Sequence, residues 1–550
     1  MRGKLTDEHG DWASDADVGS PTASGLTGPA PIGASVNAGG RADEARATKA
    51  RLPVASSVEV AIAALANGKA WRQLGLPVAL ALLLPIAACT GGGAQTARTA
   101  TPGSSTPATS PSRIEPASSM PLVLAMHPTR RPLDITQSTA ERVVTGDLTD
   151  WSELGATAGR LRLVAGPTVA GVPPASRRSE DSAAVTAASR DRRVLAVVPA
   201  AAVNPSVQVI RVDGRDPLRD PAAYPLKTAG AAPTDVLTMS AVGDLMLARR
   251  VGQAIAADGD FGGPLRPTSR RLAAADVTVG NLESSLSRLG RPQQGSDSFG
   301  ADPRILPGLT AAGFDVLSLA NNHVGDYGTQ SLIETVKRVR GVKIVPVGAG
   351  ANTTQAWRPA IIERDGVRFG FLAFNAIGES PPARRSEPGV VQLRMQPRLG
   401  KLSAGDLDAM REAIRQLRPR VDVLTVLPHW GQQYTSEPVA DQRTVARALV
   451  NAGADLVIGS HPHWVQGAEI YHGKLIAYSL GNYVFDMDFS RQTQEGVILE
   501  VVLWADQMKA ARFVPVKIGA DFAPRVLSTR AGRPILQQIW DASGPPYDTG

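Results

Sequence analysis

Five short apolar runs in this chain each stop on a side chain that can hold a proton or a cation. They read AVGDLM (241–246), VTVGNLE (277–283), FDVLSLANNH (314–323), VLTVLPHW (423–430) and LVIGSHPHW (456–464). Runs of this length read as buried strands, and amphipathic stretches at 247–257, 303–312, 330–340, 407–417 and 439–451 read as the helices between them. Strand–helix alternation implies a largely parallel sheet covered by helices, with the carboxyl ends of its strands along one edge. Further strands at 342–347, 359–363 and 368–374, and an antiparallel group at 475–479, 496–503 and 511–518, imply a second sheet packed on the first. The expected fold is therefore α/β, a four-layer αββα sandwich over 235–520, followed by a C-terminal tail at 521–550.

The strand ends carry the chemistry. Of the seven histidines, four close such runs: His323, His429, His461 and His463. His461-Pro462-His463 is expected on an extended segment, where residues i and i+2 face the same way, so both rings can enter one site. Asp244 and Glu283 add carboxylates, and Asn322 an amide oxygen. A mixed oxygen and nitrogen set without sulfur suits divalent Mn, Fe, Zn or Mg, and one site holding two such ions explains all five ends. Asn281, Asp326, Tyr478, Asn482 and Asp486 are expected around the ligands. Trp430 and Trp464 are expected to pack, and His472 to be solvated in a hairpin turn. Each residue alone also has a plainer use. Asp244 could cap a helix, Glu283 could be a surface carboxylate, His429 a satisfied core histidine, and Asn322-His323 a capped turn. The ordered set is what points to metal.

Length and composition narrow the alternatives. A chain of 550 residues exceeds one hydrophobic core and implies two or three domains. The net charge of +7 is spread thinly, and no Lys/Arg run is interleaved with aromatics, so a nucleic-acid partner is not expected. A single cysteine, Cys89, excludes disulfides within the chain.

The position of Cys89 is more telling. Residues 76–88, LPVALALLLPIAA, are an apolar run of 13, too short to span a bilayer. Lys69 and Arg72 precede it and small residues close it, so 67–89 has the layout of a signal peptide. Ile86-Ala87-Ala88-Cys89 resembles the bacterial lipoprotein box, in which the cysteine carries lipid; a free buried cysteine ending a core helix is the other reading. Residues 1–66 lack apolar periodicity and are expected to be disordered. They place the signal about 65 residues late, which implies a start codon assigned too far upstream or an internal signal. Residues 90–119 are a Gly/Ser/Thr/Pro linker. Residues 120–230 read as a small α/β domain. Gly146, Trp151 and Tyr224-Pro225-Leu226 give it a resemblance to one lobe of phosphate-type periplasmic solute-binding proteins.

The segments GDLMLAR, GNLE, SLANNHVGDYG, HWGQQY, GSHPHWVQ and YSLGNYVFD, within 237–505, resemble the CapA family of capsule and poly-γ-glutamate biosynthesis. Its fold is similar to that of calcineurin-like metallophosphoesterases. The resemblance implies that Asp244 serves a first metal, that Glu283 bridges, and that Asn322, His429 and His461 serve a second, with His463 returning to the first. It implies that His323 meets the substrate or protonates the leaving group. Two positions depart from the pattern. Met246 stands where phosphoesterases have a histidine, and Gln433 where the family often has an acid.

Three functions follow as expectations. The first is a metal-dependent hydrolase or transferase acting on an anionic envelope polymer or a phosphorylated envelope intermediate, tethered outside the membrane by lipid on Cys89. The second is a non-catalytic envelope component assisting synthesis, export or anchoring of such a polymer beside synthase and export proteins. The third makes 120–230 a solute sensor for the larger domain.

Overall fold

The computed structural model describes residues 119–167, 169–173 and 177–548. The extension 1–66, the signal segment with Cys89 and nearly all of the linker lie outside these residues. Among the described residues no helix is long and apolar enough to cross a membrane.

The small lobe is built on a six-stranded sheet in the order Arg177–Arg178, Arg162–Ala165, Val194–Pro199, Ser119–Met126, Gln208–Val209, with Lys227–Ala229 also paired to Ser119–Met126. Helices Gln137–Val144 and Asp181–Arg190 flank it. Trp151 and Tyr224 are fully buried in its core, and the Tyr224 hydroxyl donates to the Ile210 carbonyl at 3.3 Å. The lobe is docked on the larger domain. Val502 and Trp504 of that domain complete one of the lobe's apolar clusters, and the Trp504 indole N–H donates to the Leu218 carbonyl at 2.8 Å.

The larger domain has the expected four layers. One sheet orders Val345–Val347, Val316–Ser318, Val277–Leu282, Val236–Leu245, Glu495–Trp504, Gln507–Ile518 and Pro524–Val526, with Asn482–Val484 paired beside Val236–Leu245. Its first four strands are parallel. The other sheet orders Ala360–Arg364, Val367–Asn375, Val423–His429, Leu456–Ile458, Lys474–Ala477 and Ala468–Tyr471, the middle four parallel. Because these strands are apolar on both faces, each sheet needs cover on two sides. Met239, Val279, Phe369, Phe371 and Leu456 fill the seam between the sheets. Helices Arg249–Asp258 and Thr329–Gly341 cover one outer face, and Ala404–Leu417 and Ala440–Ala452 the other.

Two expectations need correction. Residues 521–548, expected as a C-terminal tail, are part of the domain. They contribute edge strand Pro524–Val526 and helix Thr529–Asp541, whose Ile535, Ile539 and Trp540 face the seam. Gly532 and Pro534 hide this helix in the sequence, yet Gly532 is required there. A Cβ at that point would meet the Pro515 ring at 2.7 Å. The strand expected over 314–320 is shorter, Val316–Ser318. Just beyond it the Asn321 side-chain oxygen accepts from the backbone N–H groups of His323 and Val324, at 3.1 and 2.9 Å, and turns the chain.

Candidate metal centre

The carboxyl ends of the parallel strands of both sheets open at one place, and the sequence-predicted ligands meet there. Asp244 ends Val236–Leu245, Glu283 follows Val277–Leu282, and Asn322 and His323 follow Val316–Ser318. His429 ends Val423–His429, and His461 and His463 follow Leu456–Ile458, so the second sheet supplies three imidazoles. All seven side chains are buried. Gly243 makes the approach possible, because a Cβ there would sit 1.9 Å from the Gly481 carbonyl oxygen.

A web of amides aims the ligands. Asn281 Nδ2 donates to Asp244 Oδ1 at 2.8 Å and lies 3.2 Å from His429 Nδ1, while its oxygen accepts from Asn321 Nδ2 at 3.1 Å. The other Asp244 oxygen accepts from the His461 backbone N–H at 3.2 Å. Asn322 donates its amide to Glu379 at 2.6 Å, which leaves Oδ1 facing His429 Nε2 at 2.7 Å. His463 Nδ1 meets Asn482 Oδ1 at 2.9 Å. His323 Nδ1 meets Asp326 at 2.8 Å, and its ring stacks on Phe299 with centroids 3.7 Å apart.

Two residues have nothing to hold. Both oxygens of Glu283 and both ring nitrogens of His461 are buried without a hydrogen-bond partner. Burial, with Asp244 adding its charge, pushes the Glu283 carboxyl well above the usual range. Burial takes Asp244 up to about 7, against the hydrogen bonds from Asn281 and His461. Burial, reinforced by neighbouring rings, holds His429 and His461 well below 6.5 and His463 down to about 4. Neutral imidazoles, with both His461 nitrogens free, beside the unpaired Glu283 carboxylate form a donor set that fits a divalent cation. One ligand atom each from Glu283, His461 and His463 lie within 4.8 Å of one another, as do atoms from Asp244, Glu283 and His429. Glu283 is common to both groups, as a bridging residue is. The partition differs from the implied roles, which separate His461 from His463.

Several expectations change in detail. His461-Pro462-His463 is not extended. His461 and His463 have φ of +97° and +59°, and this left-handed backbone, not strand alternation, brings their rings to 5.6 Å. Tyr478 is not at the centre, because its hydroxyl donates to Glu469 at 3.0 Å and its ring stacks on Trp430 in the outer helix layer. Asp486 ion-pairs with Arg249, which lies over the Phe299 ring at 4.6 Å. Met246 is fully buried in the core under the helices, where its sulfur accepts from the Ala248 N–H at 3.2 Å. Asn321, Glu379 and Phe299 were not foreseen. Asn321 stood inside a motif already singled out, whereas nothing near Glu379 or Phe299 in the sequence marks either one.

Residues 238–487 match the family model described as bacterial capsule synthesis protein PGA_cap. The chain is 31% identical over 345 residues to "Capsule biosynthesis protein CapA" of Bacillus anthracis, covering 62% of this chain and 80% of that protein. It is 31% identical over 271 residues to "PGA biosynthesis protein CapA" of Bacillus subtilis, covering 48% and 67%. Among solved structures, a putative 5'-nucleotidase from Staphylococcus aureus is similar at 14% identity and a TM-score of 0.32, covering 56% of this chain and 58% of that one. On the strength of the sequence relatives, the chain belongs to the CapA family of bacterial capsule and poly-γ-glutamate biosynthesis proteins.

Proposed function

We propose that the protein is an exported, lipid-anchored enzyme whose metal-dependent centre hydrolyses or transfers on an anionic envelope polymer or a phosphorylated envelope intermediate. The observation that carries this reading is Glu283, a buried carboxylate with neither oxygen satisfied, placed against neutral imidazoles. Such a group costs several kcal/mol in isolation, on the order of the loss from breaking a buried ion pair, and a cation offsets that cost.

Asp244, Glu283, Asn322, His429, His461 and His463 would hold the ions. When bound, divalent cations supply Lewis-acid polarisation of a phosphoryl or carbonyl oxygen and a nucleophile near neutral pH. The chain's own residues do the rest. Asn281 fixes one oxygen of Asp244 and so orients the other. Glu379 anchors the Asn322 amide so that its oxygen points inward. Asp326 holds His323 Nδ1, which leaves Nε2, 3.8 Å from Glu283, to pass a proton to a departing group.

Elemental analysis of the purified full chain tests the centre. Two divalent ions per chain is the expected result, and turnover by a chain shown to be free of metal would overturn it. The anchor rests on Cys89. Cys89→Ala is expected to move the chain from the membrane to the soluble fraction, and unchanged membrane retention would exclude lipid attachment there.

Met246 favours a second reading. Its thioether is committed to the core, so the histidine of the phosphoesterase pattern has no replacement among the ligands. On this reading the protein holds polymer without turnover beside synthase or export proteins, and Asp244→Asn complements a deletion as well as the unaltered chain.

A further inference from the structure

A cavity of about 390 Å³ lies where the small lobe meets the larger domain. The lobe contributes Arg211, Asp216 and Arg219, and the larger domain Ser240, Arg271, Glu500 and Arg512. Ser240 precedes Asp244 by four positions on the same strand, so the cavity is about 13 Å back from the metal centre at about 3.3 Å per residue.

The charges in this cavity do not cancel. Four arginines face two carboxylates. Glu500 is buried and accepts from Arg219 at 3.1 Å and Arg271 at 2.7 Å, which ties the lobe to the domain. Asp216 is occupied by the backbone N–H groups of Leu218 and Arg219. Arg211 lies 3.6 Å from Asp134 and donates to the Gly214 carbonyl. Arg512 has no hydrogen bond or ion pair among the described residues, and neither does the Ser240 hydroxyl. Arg512 is exposed to solvent, and it stands across from Glu500 in the strand register with Arg271, Arg219 and Arg211 nearby. Water can satisfy this exposed guanidinium, but an anion entering the cavity would meet it together with three neighbouring positive charges.

We infer that this junction cavity binds an oxyanion, with the Arg512 guanidinium as its principal donor, Arg211 beside it and the Ser240 hydroxyl completing the set. The fork of N–H groups on an arginine matches a carboxylate or phosphate through two parallel hydrogen bonds. The cavity exceeds the size of one inorganic phosphate, so it also admits the pendant carboxylate of an anionic polymer. Because the cavity is walled by both parts of the chain, its ligand contacts the small lobe and the larger domain together. That gives the lobe a role the metal centre does not supply.

The test is calorimetric titration of the full chain in chelator, which removes divalent ions and with them anion binding at the metal centre. Inorganic phosphate and a short γ-linked glutamate oligomer are titrated separately. The expected result is saturable binding of one anion per chain, weakened by salt and reduced about tenfold or more by Arg512→Gln. Arg512 has no protein partner, so its replacement leaves no group unpaired, and Arg211→Gln provides an independent second variant. Arg394→Gln, which alters an exposed pair with Asp406 elsewhere, is expected to bind as the parent does. Binding of phosphate alone identifies the free ion as the ligand, and tighter binding of the oligomer identifies polymer carboxylates. Binding of neither probe, or binding unchanged in both cavity variants, overturns the inference.

Discussion

His461→Ala is expected to abolish stoichiometric divalent metal and to lower turnover by about 100-fold or more, since changes outside the ligand sphere alone cost about 10–100-fold. The same centre makes an opposite prediction for the metal-free chain. In chelator at pH 8, Glu283→Gln should unfold at a higher temperature than the parent, because it removes a buried carboxyl whose ionisation nothing in the site stabilises. The sign follows from the direction of the shifts. Both carboxyls are held above their unfolded values, so the folded state keeps its protons longer. The penalty is absent below the unfolded values of 3.8 and 4.5, and grows as pH rises. The advantage of Glu283→Gln should therefore vanish near pH 4. The buried histidines act the other way, losing stability as pH falls below 6.5, but they do so in parent and variant alike. With divalent ions present the order should reverse, since ligand binding stabilises the parent. Full metal content in His461→Ala, or no gain from Glu283→Gln in chelator at pH 8, would refute the assignment.

Deleting 521–550 is expected to abolish cooperative unfolding and leave the chain aggregated. The segment places Ile535, Ile539, Trp540 and Tyr547 in the seam between the sheets. Burial at about 1.5–3 kcal/mol for each large apolar side chain sums to about 6–12 kcal/mol, against a typical domain stability of about 5–15 kcal/mol. Trp540 and Tyr547 stack at 5.2 Å, and the Tyr547 hydroxyl donates to the Pro205 carbonyl at 3.1 Å, so the lobe loses an anchor as well. Trp540→Ala alone is expected to cost about 3–5 kcal/mol. Circular dichroism melts of the two variants check both, and a truncated chain that melts like the parent would show the segment to be dispensable.

The layers of the larger domain were legible because apolar periodicity and strand–helix alternation survive in one sequence. The convergence of these side chains was legible because strands that should end on small or turn residues end instead on carboxylates, an amide and imidazoles. Geometry was less so. The left-handed backbone at His461 and His463 has no sequence signal, because neither residue is glycine, and the strand rule gave convergence for the wrong reason. Glu379 supports Asn322 from a loop 57 positions away, a pairing that only the folded chain creates. The final helix was masked by Gly532 and Pro534, whose value lies in contact with Pro515. Tyr478 was misplaced because a motif records neighbours along the chain and not the side of the sheet on which a ring falls.

The candidate ligands come from two separately hydrogen-bonded sheets, with Asp244, Glu283 and Asn322 on one and His429, His461 and His463 on the other. An ion gripped from both sides is a rivet through the sandwich. Prising the halves apart must then break coordination bonds before it wets any apolar surface. The loaded protein should consequently resist proteases and slow denaturation far longer than its equilibrium stability suggests.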